Sequence, residues 1–582
     1  MKSIGFATLS IGLLFAVPGL AQTPPAVKTP VLYLDQAWSQ ADREWYYNFS
    51  QGSAVLSYDI FLNLEVAGTE ELFRSDENSE RLGFIPQPAN PNSNPDGLPV
   101  GISKTKVATA IQDWPAGDYA GLTCAGCHEA QLNYKGTRVR IHGGASTTIN
   151  MKAIAGSLGD ALQAVLTNPA KFDRLASKLG ASTADAKAVL RTRVERETAR
   201  IVSYDTRTMA TPVEWGPGRM DALSLIANRV TSVLPKIHEN WTTPIAPVKP
   251  PFLWNAPQGL WTQWAGIVQD PIARNFGETA GVYLPIDLTS KTPAEGLFQS
   301  NAAIRELQAV EDQLGRLAPP SWPEEVFGKI DREKAKVGKA LFMENCAGCH
   351  NAWPYRWTEP NRFGKRFILV GLVPQTYVGT DPAQIEAARP FALVGQFRPF
   401  LPPQFRGKDV LPPRVLQVVI QRAVLGVALS KLKLTDAEQA ALHGYREYPS
   451  PPPPEHVYKA APRDGVWATP PFMHNGSVPN LYEVLLPAAE RTKTFHRGSE
   501  FDPVKVGLDT TAASGAFLMD TTLLGNSNAG HSFEDAPRGE GVIGPLLTED
   551  QRWALVEYLK SIPETPGRVT PFGGPSGGNA AP

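Results

Sequence analysis

Three stretches of the chain carry a helical period of apolar residues. In "DREKAKVGKALFMENCAGCH", residues 331–350, Val337, Ala340 and Leu341 recur at helical spacing and predict a helix running into the closing cysteines. In "LTEDQRWALVEYLKSI", Trp553, Val556, Leu559 and Ile562 form one stripe behind Thr548, a suitable N-cap, and predict a second amphipathic helix. The stretch 156–202, from "GSLGDALQAVL" to "ARIV", reads as mainly helical. One segment alternates instead: "NYKGTRVRIHGGAS" swings about Lys135-Gly136 as a hairpin does. Residues 241–292 read as a Pro- and aromatic-rich loop, and "YREYPSPPPPEHVYKAAP" as a stiff surface connection. The pattern predicts a mainly α chain with long loops.

Composition narrows the class. With 582 residues, 42% hydrophobic and 19% charged, and a net charge of -1, the chain is globular and large enough for more than one core. That balance implies no nucleic-acid partner. Lys2 precedes an apolar run that ends in Gly19 and Ala21, which reads as a secretory signal over 1–21. The run is shorter than the roughly 20 residues a membrane span needs, so a periplasmic or secreted protein without a membrane anchor is expected.

In that oxidising setting four cysteines would suggest two disulfides. Their spacing argues otherwise. Cys124 and Cys127 are followed by His128, and Cys346 and Cys349 by His350, each in the string CAGCH. This is the pattern of covalent haem c attachment: one helical turn sets both thiols against one porphyrin and turns the adjacent imidazole under the iron. A redox C-x-x-C or half a zinc site would leave both histidines unexplained. Two covalently bound haem c groups are therefore expected, in two cytochrome c-like domains. The boundaries read as an N-terminal extension 22–115, a first haem domain 116–325, a second 326–565 and a disordered tail 566–582.

Each haem iron then needs an answer opposite its histidine, because a second protein ligand makes an electron-transfer centre and an open position makes a reactive one. For the second haem His531, in the Gly- and Asn-rich loop "LLGNSNAGHSFED", is the first choice. Met519 and the pair Met473 and His474 compete, and a solvated loop histidine is the plain alternative for His531. His238, His443, His456 and His496 have no ligand-like context. Trp353 and Trp357, just after the second motif, read as porphyrin packing ahead of electron relays.

"TPPFMHNGSVPNLYEVL", downstream of two CAGCH strings, resembles the bacterial di-haem cytochrome c peroxidase superfamily, whose second domain carries a P-[YF]-x-H-[DN]-G-[SA] segment. "LDQAWSQADREWYYNFSQGS", "YDIFLNLE", "WGPGRMDAL", "PFLWNAPQ", "YKAAPRDGVWATPPFMHNGSVPNL" and "NSNAGHSF" are similar to the latex-degrading rubber oxygenase group. That resemblance implies His128 as sole protein ligand of a first haem that binds dioxygen, with His350 and His531 paired on the second. The methionine that peroxidases place after the H-[DN]-G segment is missing from "LLPAAERTKTFHRG". At the position of their displaceable histidine stands His142, which as part of the hairpin reads better as a fixed strand residue.

The distal pocket of the first haem is expected from "PFLWNAPQGLWTQWAGIVQDPIARNFGE". Phe252 and Trp254 are the candidate lining residues, ahead of Trp261 and Trp264, with core packing as the alternative for all four. Glu278 is the candidate proton carrier, although a salt bridge with Arg274 is the simpler reading. His474 is expected beside the second haem, tuning it by hydrogen bonding. The expected function is an oxidoreductase of the peroxidase type using hydrogen peroxide or dioxygen at the first haem, with electrons passed through the second from a small periplasmic donor. The alternatives are a dioxygenase cleaving C=C bonds of an apolar alkene and a plain electron carrier.

Overall fold

The computed structural model describes residues 30–386, 391–447, 454–511 and 516–575. The expected leader, part of the Pro-rich connection (448–453) and the end of the expected tail (576–582) lie outside them. The fold is not mainly α: the described residues are 36% helical and 15% strand, the strands lying in many small sheets. Hydrophobic periodicity missed these strands because most are two to six residues long, too short to display an alternation, and are closed by loops and not by long hairpins. The hairpin at 133–146 is the visible exception. Strands Glu129–Tyr134 and Thr137–His142 pair antiparallel about Lys135 and Gly136, both at positive φ, and Val31–Tyr33 adds a parallel edge.

The two predicted amphipathic helices pack on each other. Helix Glu549–Ser561 begins at Thr548 in a capping box with Gln551 and packs on helix Arg332–Asn345. The buried stripe of the latter differs from the expected one. Val337 and Ala340 are exposed, whereas Ala335, Gly338 and Phe342 face the partner. Close approach decides this: a Cβ on Gly338 would lie 1.9 Å from the Ala554 carbonyl oxygen, so the seam needs its smallest residues there.

Three apolar cores hold the described residues together. One joins aromatic residues of the N-terminal extension (Trp38, Tyr46, Phe49) to Trp467, Phe501 and the crossing helices. A second packs helices Met151–Thr167, Pro169–Lys178 and Ala184–Thr208 on residues 56–122. The third joins residues 226–307 to 392–442. Among the described residues, helix Pro413–Ser430 is long and apolar enough to cross a membrane, with mean hydropathy 1.2; it seats Leu416, Ile420, Val424 and Leu425 in this third core. Part of the expected tail is also packed, since the Thr570 carbonyl accepts from Gln258 Nε2 at 3.0 Å and the Gly573 carbonyl from the Arg366 N–H at 2.8 Å.

Candidate functional site

The two CAGCH strings form equivalent turns reached by different routes. Strand Gly117–Leu122, paired with Ile102–Val107, delivers the chain to Cys124; helix Arg332–Asn345 delivers it to Cys346. In each turn the histidine N–H donates back to the first cysteine carbonyl, at 2.9 Å for His128 and 2.8 Å for His350. The first turn is pressed onto Gly101, at φ +89°, where a Cβ would lie 2.3 Å from Gly126 Cα.

Both imidazoles are held by a carbonyl. His128 Nδ1 lies 2.9 Å from the Pro251 oxygen and His350 Nδ1 2.9 Å from that of Ala461. A carbonyl only accepts, so at His128 Nδ1 carries the proton and Nε2 keeps its lone pair for a metal. At His350 the Arg463 Nε–H also points at Nδ1 from 2.9 Å, so that nitrogen lies between a donor and the Ala461 carbonyl, and the Nδ1–H assignment stands on geometry at His128 alone. Burial pushes His128 down to about 4, so the ring is neutral at physiological pH. The four cysteines form no disulfide with one another, and burial pushes the Cys124, Cys127 and Cys346 thiols up to about 12.

Each turn opens into a cavity. The first, about 150 Å³, has walls from Cys127, His128, Ile149, Met220, Leu225 and Val248. Among its described lining residues His128 is the only histidine, and Glu278, Gln263, Lys249 and Gln384 supply polarity. The second, about 260 Å³, contains Cys346, Cys349, His350, His474 and His531. The His350 and His531 rings face each other with centroids 6.3 Å apart. That separation leaves room for one ion between the two rings at ordinary metal–nitrogen bond lengths of about 2.0 Å. His531 Nδ1 is buried without a protein partner, and burial, with the charges of Arg491 and Arg463, pushes this ring down to about 3. These donors fit a haem in the second cavity, and the thiols, neutral imidazole and apolar walls of the first fit another.

His531 is placed by a residue with no sequence signature. The buried guanidinium of Arg491 donates to the carbonyls of Asn528 (2.7 Å), Gly530 (2.8 Å) and His531 (2.7 Å), clamping the loop over the cavity. His474 lines the same cavity, stacked on Tyr458 at 4.3 Å, and burial pushes it down to about 3. Met473 lines it too, whereas Met519 is buried in the pairing of Thr494–Arg497 with Phe517–Asp520.

Several expected residues stand elsewhere. Phe252 and Trp254 stack on each other at 4.7 Å, but Phe252 lines the second cavity and Trp254 lies in the core, donating to the Asp464 carbonyl at 2.8 Å. The Pro251 carbonyl is bound to His128 Nδ1, and the chain leaves the wall of the first cavity after Pro251, before Phe252 is reached. Trp264 is the tryptophan that reaches the first cavity, and with Lys249 it lines both. Glu278 lies in the first cavity and accepts from Gln263 Nε2 at 3.1 Å; Arg274 is bonded to Glu311 instead. Burial raises the Glu278 carboxyl, against the pull of Arg274 and Gln263. His142 is buried in its strand with Nδ1 2.9 Å from Glu129 Oε1, away from both cavities. Trp353 is exposed, under the Arg568 guanidinium, and Trp357 does not reach either cavity.

Comparison with known proteins agrees with the cytochrome character. A family model described as RoxA-like, cytochrome c-like matches residues 457–496, the segment carrying Lys459, Arg463 and His474. A cytochrome c-like domain implies haem c. The chain is 35% identical over 576 residues to the uncharacterized protein y4iJ of Sinorhizobium fredii, across 91% of this chain and 93% of that protein. It is 28% identical over 327 residues to the uncharacterized protein y4iM of the same organism, across 53% of this chain and 63% of that one.

Proposed function

Since the chain belongs to the family of the Sinorhizobium fredii protein y4iJ, we propose that it is an exported oxidoreductase carrying two covalent haem groups with unlike tasks. One is held by Cys124, Cys127 and His128, the other by Cys346, Cys349, His350 and His531. The contrast between the cavities carries this reading: two histidine rings 6.3 Å apart close the second, whereas the first offers one histidine and an ionisable carboxyl, Glu278. Bound haem would supply electron transfer in the second cavity and activation of peroxide or dioxygen in the first.

The chain's own residues do the rest. His128, fixed by Pro251, presents one lone pair at a defined angle. Glu278, raised by burial and oriented by Gln263, is suited to take a proton from one peroxide oxygen and deliver it to the other, the step that O–O cleavage to water requires. Trp264 and Lys249, walls of both cavities, provide the short connection through which an electron from a donor protein would pass.

A second reading has its own support. The first cavity is walled by Ile149, Met151, Met220, Leu223, Leu225 and Ile226, which suits an apolar alkene. Cleaving C=C with dioxygen gives two carbonyl groups and consumes no proton. Glu278→Gln separates the two readings: peroxide turnover is expected to fall by roughly 10²–10⁴ in kcat, with absorption spectra unchanged, whereas alkene oxygenation should change little.

The first test of the two-task reading is low-temperature EPR of the air-oxidised protein. A high-spin ferric signal beside a low-spin one is expected. Two low-spin signals alone would mean that the first iron is also capped, by Met151 or Met220 on the cavity wall, and would leave an electron carrier.

A further inference from the structure

Helix Ala222–Asn228 has a void on each side. Ala222, Leu225 and Ile226 wall the first cavity, whereas Ser224 and Ala227 wall an outer cavity of about 130 Å³. At roughly 100° per residue the first three lie on one face of the helix and the last two on the opposite flank, with Leu223 on the boundary between them. Leu223 lines both cavities, and so does Gln384, from the turn 383–386. Among the described residues these two are what the cavities have in common.

The two voids differ in character. The walls of the first are mainly apolar, with Glu278 among them. The outer cavity is edged by Ser224, Thr242, Gln384, Glu386 and Arg414, and Glu386 and Pro412 on its rim are exposed. A space with such walls is roomy and polar enough to hold water. A wet chamber at the surface therefore stands directly beside the cavity that contains His128.

The frame around the partition is fixed. Asp221, 2% exposed, caps the helix by accepting from the Ser224 N–H at 3.0 Å, and its other oxygen accepts from the Ile245 and Ala246 N–H groups at 2.9 and 3.0 Å. Arg414, in the first turn of helix Pro413–Ser430, donates to the Gln384 carbonyl and so ties the other side of the partition. With both backbones held, what can move between the chambers is side chains. Leu223 is half-buried with open space on two sides, so a change of rotamer meets little resistance there.

We infer that the outer cavity is the entry port through which a small hydroxylic oxidant, of the size of hydrogen peroxide, reaches the first cavity, and that Leu223 and Gln384 are its gate. This rests on the reading above of the first haem as the reactive one, and it names the class of oxidant which that site takes. Such a molecule is small enough to pass between two side chains and exchanges hydrogen bonds with polar walls. An extended alkene meets neither condition.

The test is the kinetics of cyanide binding to the ferric first haem, followed by stopped-flow absorbance in the holoprotein and in Ser224→Phe and Ala227→Phe. Both positions line the outer cavity and neither lines the first. Filling the port should slow association and dissociation together, by roughly tenfold or more, with the dissociation constant and the resting spectrum unchanged, because a port alters the path and not the bound state. Leu223→Ala should speed both rates and narrow the preference for hydrogen peroxide over tert-butyl hydroperoxide. Unchanged rates in both phenylalanine variants would overturn the port. A loss of affinity at an unchanged dissociation rate would also overturn it, since that marks a distorted site and not a blocked path. Should Ala227→Phe fail to mature, Ser224→Phe and Leu223→Ala decide. A wild-type first haem that takes up no cyanide would refute the reading of that iron as open, a result distinct from rates that do not move.

Discussion

Replacing His128 by alanine is expected to abolish turnover while leaving the second haem signal as it was. Among the described residues His128 is the only histidine lining the first cavity, and its Nδ1 bond to Pro251 leaves Nε2 to serve a metal. Cys124 and Cys127 remain, so the porphyrin should stay attached and the variant should be isolable with its haem. Loss of an outer-shell partner of a metal-binding histidine costs roughly 10–100-fold, and loss of the ligand itself should exceed that. The measurement is kcat with peroxide, or with oxygen and an alkene, alongside EPR of the same sample. A variant that keeps wild-type turnover, or one that loses the low-spin component, would reverse the assignment of tasks.

His531→Ala should do the converse. With one of two facing rings removed, the second haem is expected to change from low-spin to high-spin, to bind carbon monoxide when reduced, and to move in potential, while the first signal persists. Position 531 has φ +45°, a left-handed backbone that favours glycine. His531→Gly should therefore give the same spectral change with a stability advantage of about 0.5–1 kcal/mol over alanine, read as a higher thermal midpoint. Since the Arg491 clamp grips carbonyls and no side chain at 528–531, it should hold the loop in both variants. A low-spin second haem in both would hand the ligand role to His474 or Met473, which line the same cavity.

Much of the chemistry was legible because it is local. Thr548 announced a helix start, and the Lys135-Gly136 turn announced a hairpin, through backbone preferences that act over a few residues. The wall of the first cavity was not legible in the same way. Phe252 and Trp254 looked like pocket residues for their aromatic character, yet Trp264 took that position, and the chain leaves that wall after Pro251, whose carbonyl is bound to a histidine far away in sequence. The expected Arg274–Glu278 pair failed for a similar reason: Glu311, on another helix, takes the guanidinium and leaves Glu278 to the cavity.

By itself the sequence determined the two C-x-x-C-H turns, the helix ahead of the second, the hairpin after the first and a small set of histidines able to complete a metal site. Those follow from covalent spacing and short-range stereochemistry, which survive without knowledge of the rest of the chain. Only the tertiary structure decided that the first turn is reached from a strand and the second from a helix, that His531 lies opposite His350, that small residues form the helix seam at Gly338, and that Lys249 and Trp264 line both cavities. Each of these depends on contacts between residues tens to hundreds of positions apart, where packing and charge burial, and no local preference, select the outcome.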